Sequence, residues 1–152
     1  MLFILALVAV ALALIFTNIV LREAGEFTLK LSIDSEKGES VFESIGSVNV
    51  GGQGSLRLRV EVVSVEGLNR IVLNGKAILE STETKYEIFM PCIYSLNTSC
   101  YRVMMVIPGW DQPLRIQPGE YSLTIELAWS NAGGKGAVTV KVKPEITYEG
   151  SK

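Results

Sequence analysis

An uncharged apolar run at the start of the chain constrains its fold more than any other feature. Residues 1–21 include 19 apolar side chains, only Thr17 and Asn18 are polar, and the charged Arg22 and Glu23 end the run. As a helix, these residues would span about 32 Å, close to the roughly 30 Å hydrocarbon core of a bilayer. The run therefore predicts a hydrophobic helix over residues 1–25, buried in lipid or among other apolar segments.

A secretory signal peptide is the ordinary alternative for such a terminus. Signal peptides have a basic start, an apolar run of about 7–15 residues and small residues before the cleavage site. Here the basic start is missing, the run is longer, and cleavage after Ala24 would place Arg22 where a small residue is needed. We therefore expect a retained segment from which a short basic leader has already been removed.

Small side chains recur along this segment at helical spacing. Ala6, Ala9, Ala13 and Thr17 follow one another at intervals of three or four residues, which would place them on one helix face. A face of this kind allows helices to approach closely. It predicts an assembly surface, although alanine also fills apolar helices without any such role.

After Gly25 the hydrophobic period changes from helical to two. Phe27, Leu29 and Leu31 alternate with polar residues, and similar short stretches follow along the whole remainder of the chain. Clusters of Gly, Pro, Asn or Ser separate these stretches, among them Asn74-Gly75 and the cluster at 133–136, which we interpret as hairpin turns. Residues 26–152 therefore predict one domain of seven to nine short strands. We expect a mainly β chain, with a hydrophobic α-helix followed by an immunoglobulin-like antiparallel β-sandwich.

The charges and the missing histidine exclude several functional classes. The chain has 14 Lys and Arg, 16 Asp and Glu, a net charge of −2 and no basic run, so it lacks the positive field that nucleic acid requires. It contains no His, the commonest general base and metal ligand. We therefore predict no enzymatic activity, no cofactor, no metal site and no nucleic-acid partner.

Cys92 and Cys100 are the only cysteines, and no His or further Cys completes a zinc site. They predict a disulfide that closes a short loop, which favours a domain exported from the reducing cytosol. The loop contains Asn97-Thr98-Ser99, an acceptor pattern for N-glycosylation at Asn97. Both features predict an extracellular domain.

The two tryptophans are expected in different environments. Trp110 follows Pro108 and Gly109 in a predicted loop, where an aromatic side chain can contact a partner. Trp129 lies in an alternating stretch and is expected in the core.

A retained hydrophobic helix that leads almost directly into an all-β domain resembles the mature subunits of archaeal type IV-like pili and archaella. The resemblance rests on residues 1–21, because the β-domain carries no diagnostic motif. It implies a structural subunit of an extracellular filament on the cell surface, with the helices as core and the β-domains as coat, used for adhesion. It also implies a membrane-inserted precursor, a prepilin peptidase and an assembly machine. Leu5 stands where bacterial type IV pilins carry glutamate, which favours the archaeal relatives.

The hydrophobic effect also favours identical copies of the chain as the partner. An apolar segment joined to a soluble domain is stable in lipid or in a bundle of identical segments, and a repeated head-to-tail contact generates a helical polymer. The alternative is a monomeric extracellular binding domain that the same segment anchors permanently in the membrane.

Overall fold

In this computed structural model, the described residues are 19–23, 25–100 and 106–149, and most of them lie in antiparallel strands. The strands are β1 (Ile19–Glu23), β2 (Glu26–Ile33), β3 (Gly38–Val50), β4 (Gly54–Glu80), β5 (Lys85–Leu96), β6 (Leu114–Ile116) and β7 (Gly119–Tyr148). Their composition explains this outcome, because alternating Val, Ile, Leu and Thr suit a pleated surface with one face buried.

Two long strands organise the domain. The first half of β7 pairs with β3 and with the second half of β4, which also pairs with β5. The second half of β7 pairs with β2 and with the first half of β4, while β1 extends this half beyond β2 and β6 extends it beyond β4. Three register shifts between Glu66 and Val72 mark the region where β4 and β7 pass from one half to the other.

The two halves pack face to face around one core. A Cβ atom on Gly46 of β3 would collide with the phenyl ring of Phe27 on β2, although these two strands are not hydrogen-bonded to each other. The buried apolar side chains of β2 to β7, except Val72, form a single cluster that includes Leu29, Leu73 and Leu123. This arrangement is consistent with a β-sandwich, as the alternating sequence pattern predicts.

The predicted N-terminal hydrophobic helix over residues 1–25 is wrong in the part that the structure describes. Ile19–Glu23 form strand β1, which pairs with β2, and no helix occurs among the described residues. Gly25 has a positive φ of 78° and lies in the turn between β1 and β2. β-Branched Ile19 and Val20 favour a strand, and the edge of β2 offers backbone partners that a helix prediction from hydrophobicity does not consider.

The immunoglobulin-like arrangement needs correction as well. That fold places separate strands in its two sheets, whereas here β4 and β7 each run through both halves. Asn74-Gly75 and residues 133–136 are not hairpin turns but lie inside β4 and β7. Gly75 is needed there for a different reason: a Cβ atom would lie 2.6 Å from the carbonyl oxygen of Glu126.

Candidate binding surface

A cleft on the outer face of β4 is the best-formed candidate site. Its volume is about 290 Å³, and it is lined mainly by Arg57 and Arg59 of β4, by Trp110 and Asp111 of the loop before β6, and by Glu145 of β7. The two arginines share one face because they are two residues apart on a strand, with buried Leu58 between them pointing into the core. The cleft therefore combines cationic, aromatic and acidic side chains.

Backbone hydrogen bonds hold the loop that carries Trp110. Leu58 N donates to Gly109 O at 2.7 Å, and Trp110 N donates to Ile107 O at 3.1 Å. Gly109 has a φ of 89°, and a Cβ atom there would lie 2.6 Å from the side chain of Ile88. Glycine is thus required for the loop to approach the core this closely, and this approach fixes the position of the indole.

Arg57 and Arg59 are held by different partners. Arg57 Nε donates to the Trp110 carbonyl oxygen at 3.0 Å, and Arg59 Nε lies 3.3 Å from Glu145 Oε1. The side chain of Arg59 remains 71% exposed, so this ion pair contributes only about 0.2–1 kcal/mol to stability. Both guanidinium groups keep donors that can bind a carboxylate or another oxyanion. The cleft can therefore bind an anionic group through these two guanidinium groups.

No known protein family, curated protein or solved structure matches this chain. Within residues 19–23, 25–100 and 106–149, no three His, Cys, Asp or Glu side chains come together as metal ligands. The same residues include no helix long and apolar enough to cross a membrane.

The predicted disulfide is confirmed. Cys92 and Cys100 are bonded, with their Cα atoms 6.2 Å apart, inside the range that a disulfide can bridge. Cys92 lies on β5, and the bond closes the segment that follows this strand.

Asn97 lies inside this closed loop and is exposed, with a φ of 51° that asparagine tolerates better than most residues. Its side-chain Nδ2 donates to Asn69 O at 2.7 Å. A glycosylated asparagine keeps one hydrogen on this nitrogen, so the hydrogen bond is compatible with modification. Glycosylation at Asn97 stays a prediction.

The remaining predicted positions divide into two groups. Trp129 is in the core as expected, 6% exposed, and its Nε1 donates to Ser35 O at 3.0 Å. Trp110 is in a loop as expected, although its ring packs partly against the core. The proposed assembly residues Ala6, Ala9, Ala13 and Thr17 lie outside the described residues.

Sequence reasoning missed the cleft itself. Arg57 and Arg59 served only as the polar members of an alternating strand, and Trp110 follows them by about fifty positions. No local sequence pattern connects these residues, because they come close together only through the backbone hydrogen bond from Leu58 N to Gly109 O. The only available signal was an aromatic residue in a Pro-Gly loop.

Proposed function

We propose that this chain is a structural subunit of an extracellular filament of the archaeal type IV-like kind, which serves in adhesion. Identical copies assemble through the apolar N-terminal segment, residues 1–18, and the β-domain forms the surface. Before assembly the segment lies in the membrane, and a prepilin peptidase and an assembly machine act on the precursor.

One observation carries this proposal. Sixteen of the first 18 residues are apolar and none is charged, and the next residue already belongs to edge strand β1. The apolar segment and the folded domain are therefore joined without a linker. Such a segment is unfavourable in water, so it is stable only in lipid or among apolar segments of other copies.

Two features of the β-domain support an extracellular location. The Cys92–Cys100 disulfide belongs to compartments outside the reducing cytosol. The Asn97 acceptor is exposed, on a loop that this disulfide closes.

The substitution Ala9→Asp in the full chain tests the filament. A carboxylate within the apolar segment would have to be buried without a partner, so we expect filaments to be lost. Negative-stain electron microscopy of cells that carry the assembly machinery measures this. The control is Thr82→Asp in the turn between β4 and β5, where the side chain is exposed and filaments should persist. Normal filaments from Ala9→Asp would contradict the proposal.

The cleft around Trp110 favours a second candidate function. A monomeric extracellular domain anchored in the membrane by the same segment would use Arg57, Arg59 and Trp110 to bind an acidic partner. In that case, microscopy of the wild-type protein would show individual particles in lipid and no filaments.

A further inference from the structure

The outer face of one half of the domain is acidic. We call it the acidic face; it lies on β3, the first half of β7, the second half of β4, and β5. Residues directly opposite each other on paired strands share a face, which places Glu126 beside Lys76 and Val41, and Glu80 beside Lys85. Its charged members include five carboxylates and two lysines: Glu39, Glu80, Glu87, Glu120, Glu126, Lys76 and Lys85.

Both lysines of the acidic face already have partners. Lys76 Nζ lies 3.2 Å from Glu87 Oε1 and 3.9 Å from Glu126 Oε2, and Lys85 Nζ lies 3.6 Å from Glu87 Oε1. Glu39 and Glu80 are exposed and form no ion pair with another described residue. The face therefore presents uncompensated negative charge to solvent.

The outer face of the other half is basic. We call it the basic face; it lies on β2, the second half of β7, the first half of β4, and β6. The registers that pair Arg59 with Lys143 and Ser55 with Arg115 place these side chains together. Its cations include Lys30, Arg57, Arg59, Arg115, Lys141 and Lys143, against the carboxylates of Glu26, Glu61, Glu66 and Glu145 and that of Glu149 just after β7.

Part of this positive charge is also uncompensated. Arg59 pairs with Glu145 at 3.3 Å, and Arg115 pairs with Glu149 at 2.6 Å. In contrast, the exposed side chains of Lys30, Lys141 and Lys143 form no ion pair with the residues that the structure describes.

The two charged faces lie on opposite sides of the domain, because the shared core separates the two halves. The chain as a whole carries a net charge of only −2, so this separation is a property of the fold. A surface on one side that complements a surface on the other side generates a head-to-tail contact, which repeats from copy to copy unless its rotation closes a ring.

Exposed apolar side chains on the acidic face supply area for such a contact. Phe89 is 56% exposed and Val41 is 50% exposed, and they flank the Lys76–Glu126 row on either side. Large aromatic side chains surrounded by polar residues are typical anchors of protein interfaces.

We propose that the acidic face of one copy binds the basic face of the next copy of this chain. The inference deepens the proposed filament, since it assigns a contact between the β-domains of neighbouring subunits. Complementary charge sets the orientation of the contact, and Phe89 and Val41 contribute apolar burial.

The experiment measures association of the full chain in nonionic detergent, where micelles cover the apolar segment and the contacts of the β-domain remain available. Sedimentation velocity at about 10 mM salt should show association of the wild-type chain. About 1 M salt should abolish this association, because the Debye length over which charges interact falls from about 30 Å to about 3 Å. A wild-type chain that stays monomeric at low salt would overturn the inference.

Charge reversal identifies the two faces. Lys30→Glu with Lys143→Glu makes both faces acidic, and Glu39→Lys with Glu80→Lys makes both faces basic. Each double variant should raise the dissociation constant for self-association at least about tenfold. An equimolar mixture of the two should associate again, since every contact then joins opposite charges. The control, Lys37→Glu, reverses a lysine at an exposed position in the loop between β2 and β3, outside both faces, and should associate like wild type. Lys143→Glu alone makes the same change of charge on the basic face and should weaken association.

The outcomes separate this inference from the filament. Wild-type association by both double variants, or no association in their mixture, would overturn the contact even if cells carry filaments. If cells carry no filaments but the mixture restores association, the result contradicts the proposed filament and supports the contact between the two faces. Thermal melting of each variant establishes that it is folded.

Discussion

At the scale of single residues, Tyr121 shows how a buried polar group is accommodated. Its side chain is 1% exposed, and its hydroxyl donates to Gln117 O at 2.6 Å. Tyr86 packs against it with ring centroids 5.7 Å apart, and the Tyr86 hydroxyl accepts a hydrogen bond from Gln117 N at 3.1 Å. The two tyrosines therefore hold both backbone groups of Gln117 at the turn between β6 and β7.

Burial, together with the neighbouring Tyr86, raises the pKa of Tyr121 above its ordinary value of 10.0. The unfolded chain then loses this proton at lower pH than the folded chain. The stability that this hydroxyl contributes should be constant below about pH 10 and should be lost as pH rises through the folded pKa. Tyr121→Phe should lose about 0.5–1.5 kcal/mol of unfolding free energy at pH 7 and should show a weaker alkaline decline.

Urea unfolding at several pH values between neutral and alkaline measures both effects. Tyr94→Phe, at a partly buried position of β5, is the control and should keep the alkaline decline of wild type. An alkaline decline in Tyr121→Phe as steep as in wild type would contradict the assignment.

Cys92 and Cys100 give a second prediction at this scale. Replacing both with serine should lower the free energy of unfolding by about 2–3 kcal/mol, because the short closed loop no longer restricts the unfolded chain. The melting temperature should fall by roughly 5–15 °C. Calorimetry with and without a reductant measures this: the reductant should lower the melting temperature of wild type and leave the variant unchanged. Equal melting of the two proteins without reductant would be inconsistent with a stabilising bond.

At the scale of elements, β4 and β7 depend on glycine where they bend together. A Cβ atom on Gly136 of β7 would collide with the carbonyl oxygen of Glu66 on β4, and a Cβ atom on Gly67 would collide with the carbonyl oxygen of Lys135. Gly67 also has a φ of 75°. A cluster of glycines that sequence reasoning assigns to a hairpin turn is instead a close contact between two continuous strands.

Gly136→Ala should therefore destabilise the domain by about 1–3 kcal/mol, since the strands must separate to admit a methyl group. Gly51→Ala is the matched control, because its Cβ atom would meet nothing closer than 3.9 Å and its change should stay within about 0.5 kcal/mol. Midpoints of urea unfolding compare the two. A Gly136→Ala midpoint equal to that of the control would contradict the close approach.

Strand β1 shows the limit of periodicity at this scale. Ile19 and Val20 continue the apolar run, so hydrophobicity alone assigns them to the preceding helix. The structure pairs them with Lys30 and Leu29 of β2 instead, and Val20 packs against the core. Hydrogen bonding to the edge of β2 therefore holds these two residues in a strand.

At the scale of the whole molecule, the core unites both halves, because the cluster that contains Leu29 of β2 also contains Ile88 of β5. We therefore expect the two halves to unfold together. The same fold separates charge, because it places Glu39 on the acidic face and Lys143 on the basic face, on opposite sides of the core. Net charge, the quantity that the sequence supplies directly, is small and reveals nothing of this.

The sequence by itself determined the alternating strands, the buried Trp129, the Cys92–Cys100 pairing and the apolar character of residues 1–18, because each depends on local composition or on short spacing along the chain. Only the tertiary structure decided that Ile19 joins a sheet, that β4 and β7 are continuous, and that Trp110 meets Arg57. These depend on contacts between distant segments, where an open strand edge or the close approach of two backbones outweighs local preference.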